Sequence, residues 1–163
     1  MLNIVLIEPE IPPNTGNVGR TCAALDATLH LVGPLGFSLS EKSLKRAGLD
    51  YWSSVKVIEH PSLEDFLRIL PKRMVFTTAF AEKSYTEIAY QKDDFILFGR
   101  ETKGLPSSLY LDYPETTVRI PHWGQVRSLN LAVAVGIVAY EAVRQLSERG
   151  EIPPPVPRAP DYR

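Results

Sequence analysis

Short, nearly continuous apolar runs punctuate this chain: Asn3–Ile7, Thr28–Val32, Val55–Ile58, Met74–Thr78, Phe95–Phe98 and Thr117–Ile120. A strand with one face in water alternates apolar and polar residues, whereas a continuous run of this length reads as a strand covered on both faces. Between the runs, helix-like segments fall at Asn17–Leu25, Ser40–Ala47, Ser62–Leu70, Tyr85–Tyr90 and Ser128–Ser147. The alternation predicts an α/β fold, a mostly parallel sheet flanked by helices on both sides.

The last helical segment is the longest. From Leu129 to Tyr140 it is apolar almost all the way round, with Leu131, Val133, Val135, Ile137, Val138 and alanines pointing in every direction. A surface helix keeps a polar face, so more than its own sheet must cover this one, and a second copy of the chain, making a homodimer, is the simplest cover. After Gly150 the composition turns to proline, from Ile152 to Pro160. This predicts a single domain over 1–150 and an extended tail over 151–163.

The chain has 163 residues, enough for one substantial core. Its net charge of −1 gives no global nucleic-acid footprint, so contact with RNA or DNA must rest on local basic patches. Cys22 is the only cysteine, which excludes an internal disulfide, and its alanine-rich surroundings predict a buried thiol. His30, His60 and His122 are scattered without ligand spacing, so no metal site is expected. The N-terminal run is too short for a membrane span and lacks a basic lead, so the expectation is a cytoplasmic protein with no membrane contact.

Three strand ends run into loops rich in Gly, Pro and Asn, the residues of sharp turns that offer backbone groups outward. The first is Pro13-Asn14-Thr15-Gly16-Asn17-Val18-Gly19-Arg20. Here Asn14 or Thr15 can cap the following helix. Arg20, one turn inside that helix and three residues from Asn17, sits near the positive end of the dipole, where a cation is favourable only if an anion visits. It is a phosphate-facing or a solvated arginine. In the second loop, Phe98 to Pro106, Gly99 lets another backbone or a flat ligand approach. Glu101 follows, and Lys103 is expected in solvent.

The third runs from Ile120-Pro121 to Arg127-Ser128-Leu129-Asn130-Leu131. Ser128 is the expected N-cap of the final helix, Arg127 can meet a phosphate, and Asn130 can bond neighbouring loops or a ligand. His122 and Trp123 admit a flat aromatic contact, although packing is the usual fate of such a pair. Lys42, Lys45 and Arg46 share one helical face ahead of Tyr51 and Trp52. That is either a solvated charge cluster or the local footprint of single-stranded RNA binding.

Taken together and in order, the segments Asn14–Arg20, Phe98–Pro106 and Ile120–Leu131 resemble the motifs of the SPOUT family of RNA methyltransferases. The resemblance covers residues 1 to about 148 and leaves out the proline tail. It implies a parallel α/β sheet whose C-terminal segment is threaded as a deep trefoil knot, an arrangement nearly absent elsewhere. It also implies a homodimer, S-adenosylmethionine as cofactor, and 2′-O-methylation of tRNA, with the wobble nucleotide of the anticodon as target. Carried over by motif, Thr77, Gly99, Glu101, Ile120, Ser128 and Leu129 match cofactor-loop positions, and Asn14, Asn17 and Asn130 organise the loops along with Glu101. Arg20 serves the acceptor ribose from across the dimer, and Lys42, Lys45, Arg46 and Arg127 are the RNA contacts.

The departures from the pattern are Gly19, expected to loosen the helix that presents Arg20, Ser43 in place of a basic residue, and apolar Ala132 where a serine is usual. Arginine is a poor general base, so the expected role of Arg20 is to clamp a phosphate and polarise the attacking hydroxyl. Methylation of another RNA, such as ribosomal RNA, and RNA binding without turnover are the alternative readings.

Overall fold

The computed structural model describes residues 1–37, 52–69 and 71–156. The expected helix over 40–47, with Lys42, Ser43, Lys45, Arg46 and the neighbouring Tyr51, lies outside them, as does the end of the proline tail.

Seven strands form one sheet: β1 (Asn3–Ile7), β2 (Thr28–Val32), β3 (Lys56–His60), β4 (Met74–Thr77), β5 (Lys83–Ser84), β6 (Phe95–Phe98) and β7 (Thr117–Arg119). Their order is β3-β2-β1-β6-β4-β7-β5. Every pairing is parallel, with Ile4 opposite both Leu29 and Ile96 at the centre. Among the described residues three helices flank it: α1 (Pro12–Leu25), α2 (Leu63–Leu67) and α3 (Leu131–Glu148).

Continuous hydrophobicity in the strands has the expected cause, since alternate side chains enter two separate cores. Ile4 and Leu6 of β1 join Leu29, Leu31, Ile96 and Val118 beneath α1 and α3, where Val18, Cys22, Val135, Val138 and Ala142 meet them. Val5 and Ile7 point the other way, to Val32, Phe66, Phe76, Leu97 and Leu105. Cys22 is fully buried, and burial pushes its thiol up to about 12. β3 is one of the two edge strands, which is why Lys56, Ile58 and Glu59 remain exposed.

The sheet order carries one unusual crossing. β7, late in the chain, lies between β4 and β5, two strands joined only by residues 78–82. From β7 the chain goes on to α3, which packs against α1. A late strand slotted between two strands that a short connection already joins is the crossing that a threaded C-terminus requires.

The helix expected over Ser62–Leu70 shortens to Leu63–Leu67, the strand expected over Val55–Ile58 runs from Lys56 to His60, and two further elements change more. Tyr85–Tyr90 is not helical. Its backbone is claimed from outside: Gln145 of α3 accepts from the Tyr90 N–H at 3.0 Å and donates to the Ile88 carbonyl at 3.1 Å. The Tyr90 hydroxyl donates to the Tyr85 carbonyl at 2.9 Å, closing the turn. α1 starts at Pro12 rather than Asn17, because the paired prolines occupy its first turn, where their missing N–H groups cost nothing.

Candidate active site

Thr77, Gly99 and Ile120 come together at one edge of the sheet. Thr77 ends β4, Gly99 follows the last residue of β6, and Ile120 follows the last residue of β7. These three strands are neighbours, with Phe76 opposite both Leu97 and Thr117. The carboxyl ends of adjacent parallel strands are where open α/β sheets take their ligands.

Above this edge a hydrogen-bonded path joins the three loops. Glu101 accepts from the Glu10 N–H at 2.8 Å and the Ile11 N–H at 3.2 Å, closing the open amino end of α1. It also accepts from the Asn14 side-chain amide at 2.9 Å. The Asn14 oxygen accepts in turn from the Asn130 amide at 2.9 Å, and the Asn130 oxygen accepts from the Ala132 N–H at 2.9 Å and the Val133 N–H at 3.4 Å. One buried asparagine on α1 therefore couples the loop after β6 to the start of α3. Each polar group on the path is answered by another, and such a network fixes geometry better than its separate bonds would.

The path corrects several expectations. Asn130, not Ser128, is the N-cap of α3, and Ser128 stands exposed three residues before the helix begins. Neither Asn14 nor Thr15 caps α1, since both lie inside it and Ile11 is its cap residue. Both Glu101 oxygens are engaged by groups of the first loop, those of Glu10, Ile11 and Asn14. Because α1 begins at Pro12, Arg20 lies in its third turn, beyond the reach of the amino-end dipole. It shares an outward stripe with Pro13, Asn17 and Ala24, all exposed, on the opposite side of the helix from the buried Asn14, Val18 and Cys22. Asn17 is thus beside Arg20 and outside the hydrogen-bonded path, and its carbonyl accepts from the Thr21 hydroxyl.

Gly19 has a packing role. A Cβ there would lie 2.6 Å from the Trp52 ring, so the glycine is the seat on which that ring packs. Trp52 is accordingly half-buried against the core rather than displayed for RNA. His122 and Trp123, by contrast, do not pack, and Arg127 and Lys103 are exposed as well. Leu129 is half-buried.

Gly99 is required by contact. A Cβ on it would fall 2.0 Å from the Gly104 carbonyl carbon and 2.1 Å from the Leu105 nitrogen, so the loop folds back directly onto this residue. Gly104, at φ +67°, makes the turn that lets it do so, closed by the Gly104 N–H donating to the Arg100 carbonyl at 2.8 Å.

A second clamp went unread in the sequence. Glu10 accepts from both the backbone N–H and the hydroxyl of Thr102, and Glu8 pairs with Arg100. The Thr102 bonds hold the Glu10 carboxyl below its usual range. The signal was present as paired acids, Glu8 and Glu10 before the prolines and Glu101 after Gly99, each reaching into the other's loop. A cleft of about 320 Å³ opens beside this clamp, lined by Glu8, Arg100, Lys103, Gly104 and Pro106.

Among the described residues, three buried side-chain oxygens lack a hydrogen-bond partner: Thr15 Oγ1, Thr77 Oγ1 and Asp94 Oδ1. Asp94 is at the opposite edge of the sheet, just before β6. Thr15, beside Asn14, and Thr77, at the end of β4, lie at the loop edge. A buried hydroxyl left unanswered costs about 1–3 kcal/mol, so the Thr15 and Thr77 hydroxyls are groups that a polar ligand at this edge can satisfy. These residues fit a polar cofactor held against glycine backbone. No cluster of His, Cys, Asp or Glu able to hold a metal occurs among the described residues, nor is any described helix long and apolar enough to cross a membrane.

A parallel sheet with a late strand inserted near its edge, and three coupled loops at its carboxyl end, define an α/β protein with a ligand-binding edge at its strand ends. The chain belongs to the SpoU rRNA methylase family, whose model matches residues 1–140. The tRNA (cytidine(34)-2′-O)-methyltransferase of Escherichia coli K12 is 45% identical over 154 residues, 93% of this chain and 98% of that protein. A structure solved for insight into the 2-OH methylation of C/U34 on tRNA is 52% identical, with a TM-score of 0.83 over 90% of this chain and 91% of the other. An AdoMet-bound rRNA methyltransferase from Sinorhizobium meliloti is 31% identical, with a TM-score of 0.78 over 89% of this chain and 56% of that one.

Proposed function

We propose that this chain is an S-adenosylmethionine-dependent RNA methyltransferase that modifies the ribose 2′-hydroxyl of the wobble nucleotide, cytidine or uridine, of tRNA. The observation that carries the reading is the hydrogen-bonded path from Glu101 through Asn14 to Asn130, which ties together three loops distant in sequence at the sheet edge where Thr77, Gly99 and Ile120 lie. Similarity to a wobble-cytidine enzyme over nearly the whole length of both chains supports the choice of substrate.

S-adenosylmethionine supplies a methyl group already activated on a sulfonium, so the chain's own work is chiefly to position. Thr77, Gly99, Ile120, Ser128 and Leu129 hold the cofactor. Glu101, Asn14 and Asn130 keep the loops in register before it binds, so little ordering remains to be done on binding. Arg20 clamps the phosphate next to the acceptor ribose and polarises the 2′-hydroxyl. The guanidinium suits this role because it stays charged and presents a planar fork to phosphate. Arg127 contributes a phosphate contact, as do Lys42, Lys45 and Arg46.

The enzyme works as a homodimer. Arg20 points outward from α1, away from its own core, and the neighbouring α3 leaves Val133, Ile137 and Tyr140 on its outer side. Pairing these faces covers the apolar stripe and carries each Arg20 toward the partner's pocket.

Transfer of a labelled methyl group to purified tRNA, with the product nucleotide mapped, tests the assignment. Label at position 34 is the expected result, and label in ribosomal RNA but not tRNA overturns the substrate. Arg20→Ala is expected to lower transfer by roughly a hundredfold, about 3 kcal/mol of transition-state stabilisation. Cofactor affinity, measured by calorimetry, should stay within about threefold of the parent, because Arg20 lies outside the cofactor loops. A variant that transfers at the parent rate removes Arg20 from the mechanism.

A further inference from the structure

Phe80 and Trp123 are the most exposed aromatic residues of the described chain, at 84% and 95%. Each sits on a loop that leaves the carboxyl edge of the sheet beside the cofactor residues. Phe80 lies three residues beyond Thr77 at the end of β4, and Trp123 three beyond Ile120 after β7. Because β4 and β7 are hydrogen-bonded neighbours with Thr77 opposite Val118, the two loops emerge side by side.

The rings do not hold these loops together. His122 Nε2 bonds the Val126 carbonyl at 2.9 Å and closes the turn that displays Trp123. The Phe80 N–H donates to the Thr78 hydroxyl at 3.4 Å. Thus the backbone is shaped locally while large apolar faces are left in water, a cost that only a partner offsets. The charge around Trp123 narrows the partner. From Thr117 to Tyr140 the chain has Arg119 and Arg127 and no acidic residue, and both arginines are exposed, whereas the Phe80 loop leads into exposed Glu82. A flat ring between two arginines, beside residues of the proposed cofactor loops, matches the requirements of an unstacked base with its phosphates.

We propose that Trp123, backed by Phe80, is a stacking platform for an unpaired base of the RNA substrate beside the ribose to be methylated. This rests on the reading of the chain as an RNA methyltransferase and adds to it a positioning residue. Stacking engages the face of a base and so tolerates different bases, while it fixes where the adjoining 2′-hydroxyl lies.

The test uses the full chain and a fluorescently labelled anticodon stem-loop RNA. Loss of one stacked base corresponds to about five- to a hundredfold in affinity, and Trp123→Ala is expected to weaken RNA binding within that range. It should raise KM for tRNA more than it lowers kcat and leave cofactor affinity and melting temperature unchanged. Trp123→Phe, which keeps a flat ring, should restore most of the binding, and Phe80→Ala should show a smaller loss. RNA should also quench the parent's red-edge tryptophan emission, and Trp123→Phe should abolish that quench while Trp52 remains. An unchanged RNA affinity in Trp123→Ala overturns the proposal, with the methyltransferase reading intact if methyl transfer persists. If Trp123→Ala instead turns a dimer into a monomer by light scattering, the ring covers a second copy of the chain and the proposal is wrong. A parent that neither binds nor methylates RNA overturns both readings.

Discussion

Gly99 shows how one missing side chain shapes the pocket. Its Cα faces the backbone of Gly104 and Leu105 so closely that a methyl group has no room, and the obstacle is main chain, which cannot rotate aside. Gly99→Ala should therefore displace the 100–105 loop, pull Glu101 out of line with the Glu10 and Ile11 N–H groups, and weaken cofactor binding by more than about tenfold. Circular dichroism should show the sheet and helices retained, because Gly99 lies beyond the last residue of β6 and outside both cores. Cofactor affinity equal to the parent's by calorimetry would mean that the loop tolerates the shift and that the close approach is incidental. The need for a glycine was legible in the sequence as a glycine ending an apolar run. Its partner was not, because the contact at 104–105 depends on a turn that folds back.

At the scale of elements, the central strands were readable almost to the residue. β1, β2 and β6 match their apolar runs at both ends, since burial on both faces keeps their interiors apolar except for His30 of β2. What the pattern could not supply was tertiary competition. Gln145, fifty-five residues beyond Tyr90, takes over backbone groups that a local helix would have used, and two-residue β5 exists only because β7 pairs with it. The glutamate-to-backbone ties of the site were hidden for the same reason: each spans about ninety residues.

The pairing of β2 with β3 also brings His30 and His60 into contact, with His30 Nδ1 2.9 Å from His60 Nε2 and the rings stacked among Phe66 and Phe95. His30 Nε2 faces the Asn3 oxygen, an acceptor, so it carries the proton, and Nδ1 is left to accept from His60. Burial, with His60 adding to it, lowers His30 from 6.5 to about 4. Burial lowers His60 also, against the opposing pull of Asp65. A depressed pKa means that the unfolded chain takes up the proton first. The stability held by neutral His30 is therefore complete above about pH 6.5 and is lost as pH falls toward 4. Between pH 7 and pH 5 the loss should be about 2 kcal/mol from this group. Urea unfolding at both pH values should show a steeper fall for the parent than for His30→Leu, and parallel falls would remove the pair as the cause.

At the scale of the whole molecule, α3 divides its apolar surface. Val135, Val138, Ala139, Ala142 and Leu146 enter the core, while Val133 and Tyr140 remain about half exposed, with Ile137 partly so between them. An apolar stripe on the outer side of a helix is what a twofold contact uses, since the same patch on each copy must complement itself. Ile137→Asp places a charge in that stripe without entering the core, and it should yield a folded monomer by light scattering with methyl transfer lost. The stronger test asks which chain each Arg20 serves. At cofactor concentrations well below the affinity of the Gly99→Ala loop, Arg20→Ala and Gly99→Ala should each be strongly impaired alone, the first for want of the clamp and the second for want of the cofactor loop. If Arg20 acts across the interface, a mixed dimer pairs the intact Arg20 of one chain with the intact loop of the other and so rebuilds one of its two sites. Random exchange places about half the chains in mixed dimers, so about a quarter of the parent activity should return on mixing. If Arg20 serves its own chain, each site in the mixed dimer keeps one of the two defects, and mixing restores nothing. Recovery on mixing thus reports both the dimer and the direction in which its arginine reaches.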